Sequence, residues 1–146
     1  MNEEIRYVIL IIELVILSIQ DIKGKKISTI ALAVMILCAG AMRIMGVAFL
    51  NENLFENRII TGIIFGALIT IFGHYSRVIG EGDGIVIILV ALMSDGIFSI
   101  GVFIAAITLA AVAALILLVL KKAKKTYEIP FVPFLLFSMI GVFVCI

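Results

Sequence analysis

The chain has 146 residues, of which 64% are hydrophobic and 14% charged, and its mean hydropathy is +1.36. A soluble globular domain, roughly half apolar and about a quarter charged, is excluded. The net charge of +1, from 11 basic and 10 acidic residues, leaves no basic stripe for nucleic acid, so the expected surroundings are the lipid bilayer.

The first apolar run, Ile5 to Ile19, is broken only by Arg6 and Glu13 and ends at the polar stretch from Gln20 to Lys26. Its acidic start, Met1 to Glu4, lacks the basic region of a cleavable signal, and no A-x-A site follows, so this span is expected to persist in the mature protein. A second run, Ile27 to Leu50, carries Arg43 in its last third and closes on Asn51-Glu52-Asn53. The third, from Ile59 to Phe72 and on to His74 or Tyr75, spaces Gly62 and Gly66 as G-x-x-x-G, a pattern that lets helices approach closely. From Gly84 to Leu120 the sole charge is Asp95, which predicts two helices turning near Ser94-Asp95-Gly96. The last span, Ile129 to Ile146, follows the basic cluster Lys121 to Lys125.

No alternating strands are visible, so a β-barrel is not expected. The expectation is an all-α membrane protein of about six transmembrane helices in one bundle. At about 20 residues per crossing, little chain remains for loops, so residues 1–146 form a single transmembrane domain.

Cytoplasmic loops retain Lys and Arg. With both termini outside, the inner face receives Lys23, Lys25, Lys26, Arg77, Lys121, Lys122, Lys124 and Lys125, against Arg6, Arg43 and Arg58 in the outer half. This bias predicts a multi-pass protein of the cell membrane in that orientation. Tyr7, Tyr75 and Tyr127 then fall near the interfaces, where amphipathic rings are favoured.

Ionisable residues at membrane depth are functional candidates by default. Asp21 ends the first helix and Gly80-Glu81-Gly82-Asp83 opens the fourth, so this topology brings both carboxylates to the cytoplasmic face. Asp21 stands at the negative end of a helix dipole, unfavourable for an anion, and reads alternatively as a loop carboxylate neutralised by Lys23, Lys25 or Lys26. Asp83 reads alternatively as a helix N-cap.

Length adds an argument about Asp83. The stretch from Asp83 to Asp95 is too short, at about 1.5 Å per helical residue, to cross a hydrocarbon core of about 30 Å. One end must be recessed. Gly80, Gly82 and Gly84 allow close backbone approach there, and non-helical backbone at such depth has to be buried in protein or line a wet cavity. A water-accessible pocket at Asp83 follows. Two carboxylates facing it can share a proton, leaving one acid and one base around a water.

Asp21 with Ile27 six residues on, the GxGD of Gly80 to Asp83, and the ending Ile129-Pro130-Phe131-Val132-Pro133-Phe134-Leu135 together make the whole chain resemble the type IV prepilin leader peptidases. The resemblance implies an intramembrane aspartyl endopeptidase with Asp21 and Asp83 as its catalytic pair. The motif residues Gly80, Glu81, Gly82, Gly84, Pro130, Phe131, Pro133 and Phe134 would frame the site. The substrate would be a prepilin or pseudopilin-like protein, cut on the cytoplasmic side, with no cofactor and no metal. The chain departs from the family at Ser28-Thr29, where Pro-Asn is usual, and at Ile85, where Lys is usual. It also lacks the domain with paired CxxC motifs linked to N-methylation, as in the short, peptidase-only branch.

The remaining polar residues point to less. Glu13 reads as a polar link to Arg43 or a wall of the pocket. His74, the only histidine, reads as interfacial, since a zinc site needs more ligands. Cys38 and Cys145 read as apolar core or lipid-facing residues, and Lys121 to Lys125 as a topogenic anchor that could also contact anionic lipid. Glu81 reads as a solvated loop charge or an attractor of a basic leader. A rival of another class is a non-catalytic transporter or channel subunit, in which short helices and buried acids line a path. Such a path calls for an internal repeat and a midplane acid pair, and the sequence contains only Glu13.

Overall fold

The computed structural model describes residues 3–24, 28–50, 57–76, 80–120 and 130–145, and their regular structure is all helical. The helices are α1 (Glu3–Gly24), α2 (Thr29–Leu50), α3 (Asn57–Ser76), α4 (Glu81–Met93), α5 (Gly96–Val119) and α6 (Val132–Cys145). Lys25, Lys26, Arg77, Lys121 to Lys125, Tyr127 and Ile129, which entered the orientation and motif readings, lie outside the described residues.

Each helix follows from its local sequence. α1 buries Arg6, Leu10, Glu13, Leu14, Leu17 and Asp21, which recur every three or four residues along one face. It runs past the apolar limit at Ile19 to Gly24, because Gln20, Asp21 and Lys23 are tolerated at a wet helix end and glycine is a common stop. α2 starts at Thr29 rather than Ile27. Ser28 caps it, its Oγ accepting from Ala31 N at 3.5 Å while its carbonyl accepts from Leu32 N at 3.0 Å. The turn expected near Ser94-Asp95-Gly96 is present: Asp95 caps α5 by accepting from Ile97 N at 3.3 Å, and Arg58 of α3 stands 3.5 Å from its Oδ2.

Leu10, Leu14 and Leu17 of α1, Leu32 and Ala39 of α2, Val86, Ile87, Leu89, Val90 and Met93 of α4, Val102, Phe103 and Ala106 of α5, and Val132, Leu135 and Met139 of α6 form one buried apolar cluster, with Phe65 and Ile69 of α3 against it. α4 runs through the middle and packs on α1, α2, α3 and α5, with α3 its tightest neighbour. The outer surface is apolar as well, with Ile30, Leu37, Phe49 and Val144 exposed. Three helices are long and apolar enough to cross a membrane: Thr29–Phe49, Asn57–Tyr75 and Gly96–Val119. α4 and α6 are shorter, at 13 and 14 residues, about 20 Å each.

The G-x-x-x-G of α3 is the seam that seats α4 and the start of α5. A Cβ on Gly62 would lie 2.6 Å from Gly96 Cα and 2.7 Å from Ala91 Cβ, and one on Gly66 would lie 2.9 Å from the Gly84 carbonyl. Gly96 in turn faces the Arg58 carbonyl in the first turn of α3. The C-terminal end of α4 is therefore level with the start of α3. Its N-terminal end is not level with the end of α3: Gly84 packs on Thr70, six residues before Ser76, while only three residues of α4 precede Gly84, which leaves α4 about 4–5 Å short. The recessed end is the one that carries Asp83.

Candidate active site

Three chain segments meet at that recessed end. Asp21, in the last turn of α1 and 8% exposed, accepts a hydrogen bond at Oδ2 from Val132 N, the first amide of α6, at 3.0 Å. Asp83 sits near the start of α4 and accepts at Oδ2 from Gly80 N at 3.2 Å. The two carboxylates are close enough for their charges to act on one another.

The backbone amides explain how two anions are tolerated here. A helix N-terminus presents unpaired N–H groups and a partial positive charge. Asp83 lies at the N-terminus of α4, and Asp21, although at the unfavourable end of α1, lies at the N-terminus of α6. The cost anticipated for Asp21 from its own helix is thus offset by a different one. Among the described residues its partner is an amide 111 positions away, not Lys23, which is exposed.

Asp83 is not the N-cap of α4. Gly80 occupies that place, with φ −65° and ψ 136°, and its carbonyl accepts from Asp83 N at 3.0 Å. Asp83 is the third helical residue, reaching back to the N-cap amide as the acidic member of a capping box does. The glycines have separate reasons. A Cβ on Gly80 would stand 3.1 Å from Asp83 Oδ2, and one on Gly84 would strike Thr70 and lie 2.8 Å from the Gly66 carbonyl. Glu81 and Gly82 form the first turn between them.

The Pro130 to Phe134 element builds the other wall. Phe131 is the residue before α6, its carbonyl accepting from Phe134 N at 3.0 Å and Leu135 N at 3.2 Å. Pro133 falls in the first turn, where a missing N–H costs no helical bond. The Phe131 ring meets Phe103 of α5 edge to face at 5.9 Å, and Phe103 meets Phe65 of α3 at 5.3 Å. This aromatic chain ties the start of α6, and with it the Val132 amide, to α3 and α5.

Ser28 also acquires a local explanation. Its amide donates to Gln20 Oε1 at 3.3 Å, linking the end of α1, one residue before Asp21, to the start of α2. A proline there has no N–H to give, so serine supplies a cap and a tether by other means. Ile85 is half-buried against the apolar cluster.

The other singled-out residues lie apart from the pair. Glu13 is buried on α1, and its Oε2 has no hydrogen-bond partner among the described residues. The expected link to Arg43 is not formed, because Arg43 reaches two carbonyls of the α4 end instead, Leu92 O at 2.7 Å and Ser94 O at 2.6 Å. His74 is exposed beside Tyr75, ring centroids 5.7 Å apart, and Cys38 is exposed on α2. Among the described residues no three His, Cys, Asp or Glu side chains cluster as metal ligands. The Val132 amide and the Arg43 contacts were not anticipated, since each joins residues remote in sequence.

No protein-family model, curated protein or solved structure matches this chain.

Proposed function

We propose that this chain is an intramembrane aspartyl endopeptidase that removes the leader of prepilin-like proteins, with Asp21 and Asp83 as its catalytic pair. The observation that carries the reading is their meeting at one recessed end of the bundle, each oriented through Oδ2 by the first free amides of a short helix. One ionised carboxylate would take a proton from water as it attacks the scissile carbonyl. Its protonated partner would hydrogen-bond that carbonyl and later protonate the leaving amine. Neither step needs a metal or a cofactor.

The proposed setting is a six-helix bundle with the aspartate end toward the cytoplasm and both termini outside. Supporting this are the alternating helix directions, the three long apolar spans and the concentration of Lys in the sequence at the end of α1 and after α5. α4 and α6, too short to reach across alone, would start inside the layer and leave room for water and for an unwound segment of substrate. Co-expression with prepilin-like proteins encoded nearby, read by mass spectrometry, tests the reading. A loss of mass equal to a basic leader is expected. No cleavage of any candidate would favour a non-catalytic transporter or channel subunit.

A further inference from the structure

The helix that carries Asp83 is held at its other end by a residue outside every motif. The last carbonyls of a helix have no partner within it, and in an apolar layer each needs one. At the end of α4 three are supplied from identifiable groups: the Val90 carbonyl accepts from Ser94 N at 2.9 Å and from Ser94 Oγ at 2.6 Å, and the carbonyls of Leu92 and Ser94 accept from Arg43 Nε and Nη2 at 2.7 and 2.6 Å. Arg43 lies on α2, which packs chiefly against α4. Its planar fork suits two acceptors at once, and a cation is favourable at a helix C-terminus.

The register of α4 along its own axis needs such a strut. Its seam with α3 is built chiefly from Gly62, Gly66, Gly84, Ala91 and Gly96, with the Ile88, Thr70 and Ser99 side chains set against the glycines, so it fixes how closely the two helices approach and leaves the end of α4 beyond Ala91 to be held by other groups. Between Leu92 and Asp83 runs a continuous helix about 14 Å long, so a displacement at one end is transmitted to the other. Asp21 is anchored independently through Val132. The relative position of the two carboxylates therefore depends on where Arg43 holds α4.

We infer that Arg43 is a positioning residue, fixing the depth of Asp83 opposite Asp21 by clamping the far end of α4. Its catalytic consequence rests on the peptidase reading, whereas its geometric consequence does not. The experiment has two arms. In a Cys38→Ser, Cys145→Ser background, Asp21→Cys and Asp83→Cys are combined and cross-linked in membranes with bis-methanethiosulfonate reagents of graded span. Arg43→Met, which keeps an apolar stem and loses both donors, should shift the span that links best. In protein with both aspartates intact, Arg43→Met should lower kcat per folded molecule about 10- to 100-fold, as expected for a misplacement near 1 Å, and leave KM for a prepilin-like substrate unchanged. Arg43→Lys, a point donor able to serve one carbonyl, should fall between.

If Arg43→Met does not accumulate, Arg43→Gln is read by the same ladder. An unchanged ladder, or an unchanged kcat in an active folded protein, overturns the inference. A shifted ladder in a protein whose unaltered form cleaves no substrate upholds the positioning role and counts against the peptidase reading instead.

Discussion

Replacing Gly84 by alanine tests whether the seam between α3 and α4 sets the geometry of the aspartates. The added Cβ would stand 2.5 Å from Thr70 N and 2.8 Å from the Gly66 carbonyl, besides striking Thr70 Oγ1. Ordinary contact begins near 3.4 Å, and the obstructing atoms include backbone, so α4 must withdraw from α3 by roughly 1 Å. Overpacking of this kind costs about 1–3 kcal/mol, partly offset by the better helix propensity of alanine, about 1 kcal/mol. The larger effect should be on chemistry, because Asp83 is the adjacent residue and Asp21 is tied to α6. A shift near 1 Å can cost about 100-fold in rate. The assay is kcat for leader removal by purified protein, with the melting temperature in the same detergent. Gly101→Ala is the control, since nothing lies within 4 Å of a Cβ there. Unchanged melting and cleavage in Gly84→Ala would refute both the tight seam and its influence on the site.

Asp21→Asn and Asp83→Asn should each abolish cleavage at unchanged membrane levels, because asparagine can keep size and hydrogen bonding but cannot act as a general base. Groups acting as one unit are strongly non-additive, so the double variant should be scarcely worse than either single one; near-normal processing by either would remove that residue from the pair. A chelator should leave cleavage unaffected, and inhibition restored by added metal would contradict an aspartyl mechanism. For orientation, Lys124→Cys in a background lacking Cys38 and Cys145 should resist an impermeant thiol reagent applied to intact cells, and ready labelling there would reverse the proposed topology.

Local sequence determined the parts of this protein whose physics is local. Uncharged runs specify long apolar helices, Asp95 before a glycine specifies a turn and a cap, and the short interval from Asp83 to Asp95 requires a helix with one end recessed. The G-x-x-x-G of α3 already implied a close neighbour, although not that Gly84 and Gly96 would be its counterparts. Even the meeting of Asp21 and Asp83 at one end was legible, because an alternating bundle brings the end of α1 and the start of α4 to the same side. Only the tertiary structure decided what holds them there. An amide of α6 stabilises Asp21 against the dipole of its own helix, Gly80 rather than Asp83 caps α4, and Arg43 closes the opposite end of α4 rather than reaching Glu13. These choices satisfy backbone groups that every residue carries alike, so no side-chain pattern announces them. They are settled by which helix ends arrive within about 3 Å of one another.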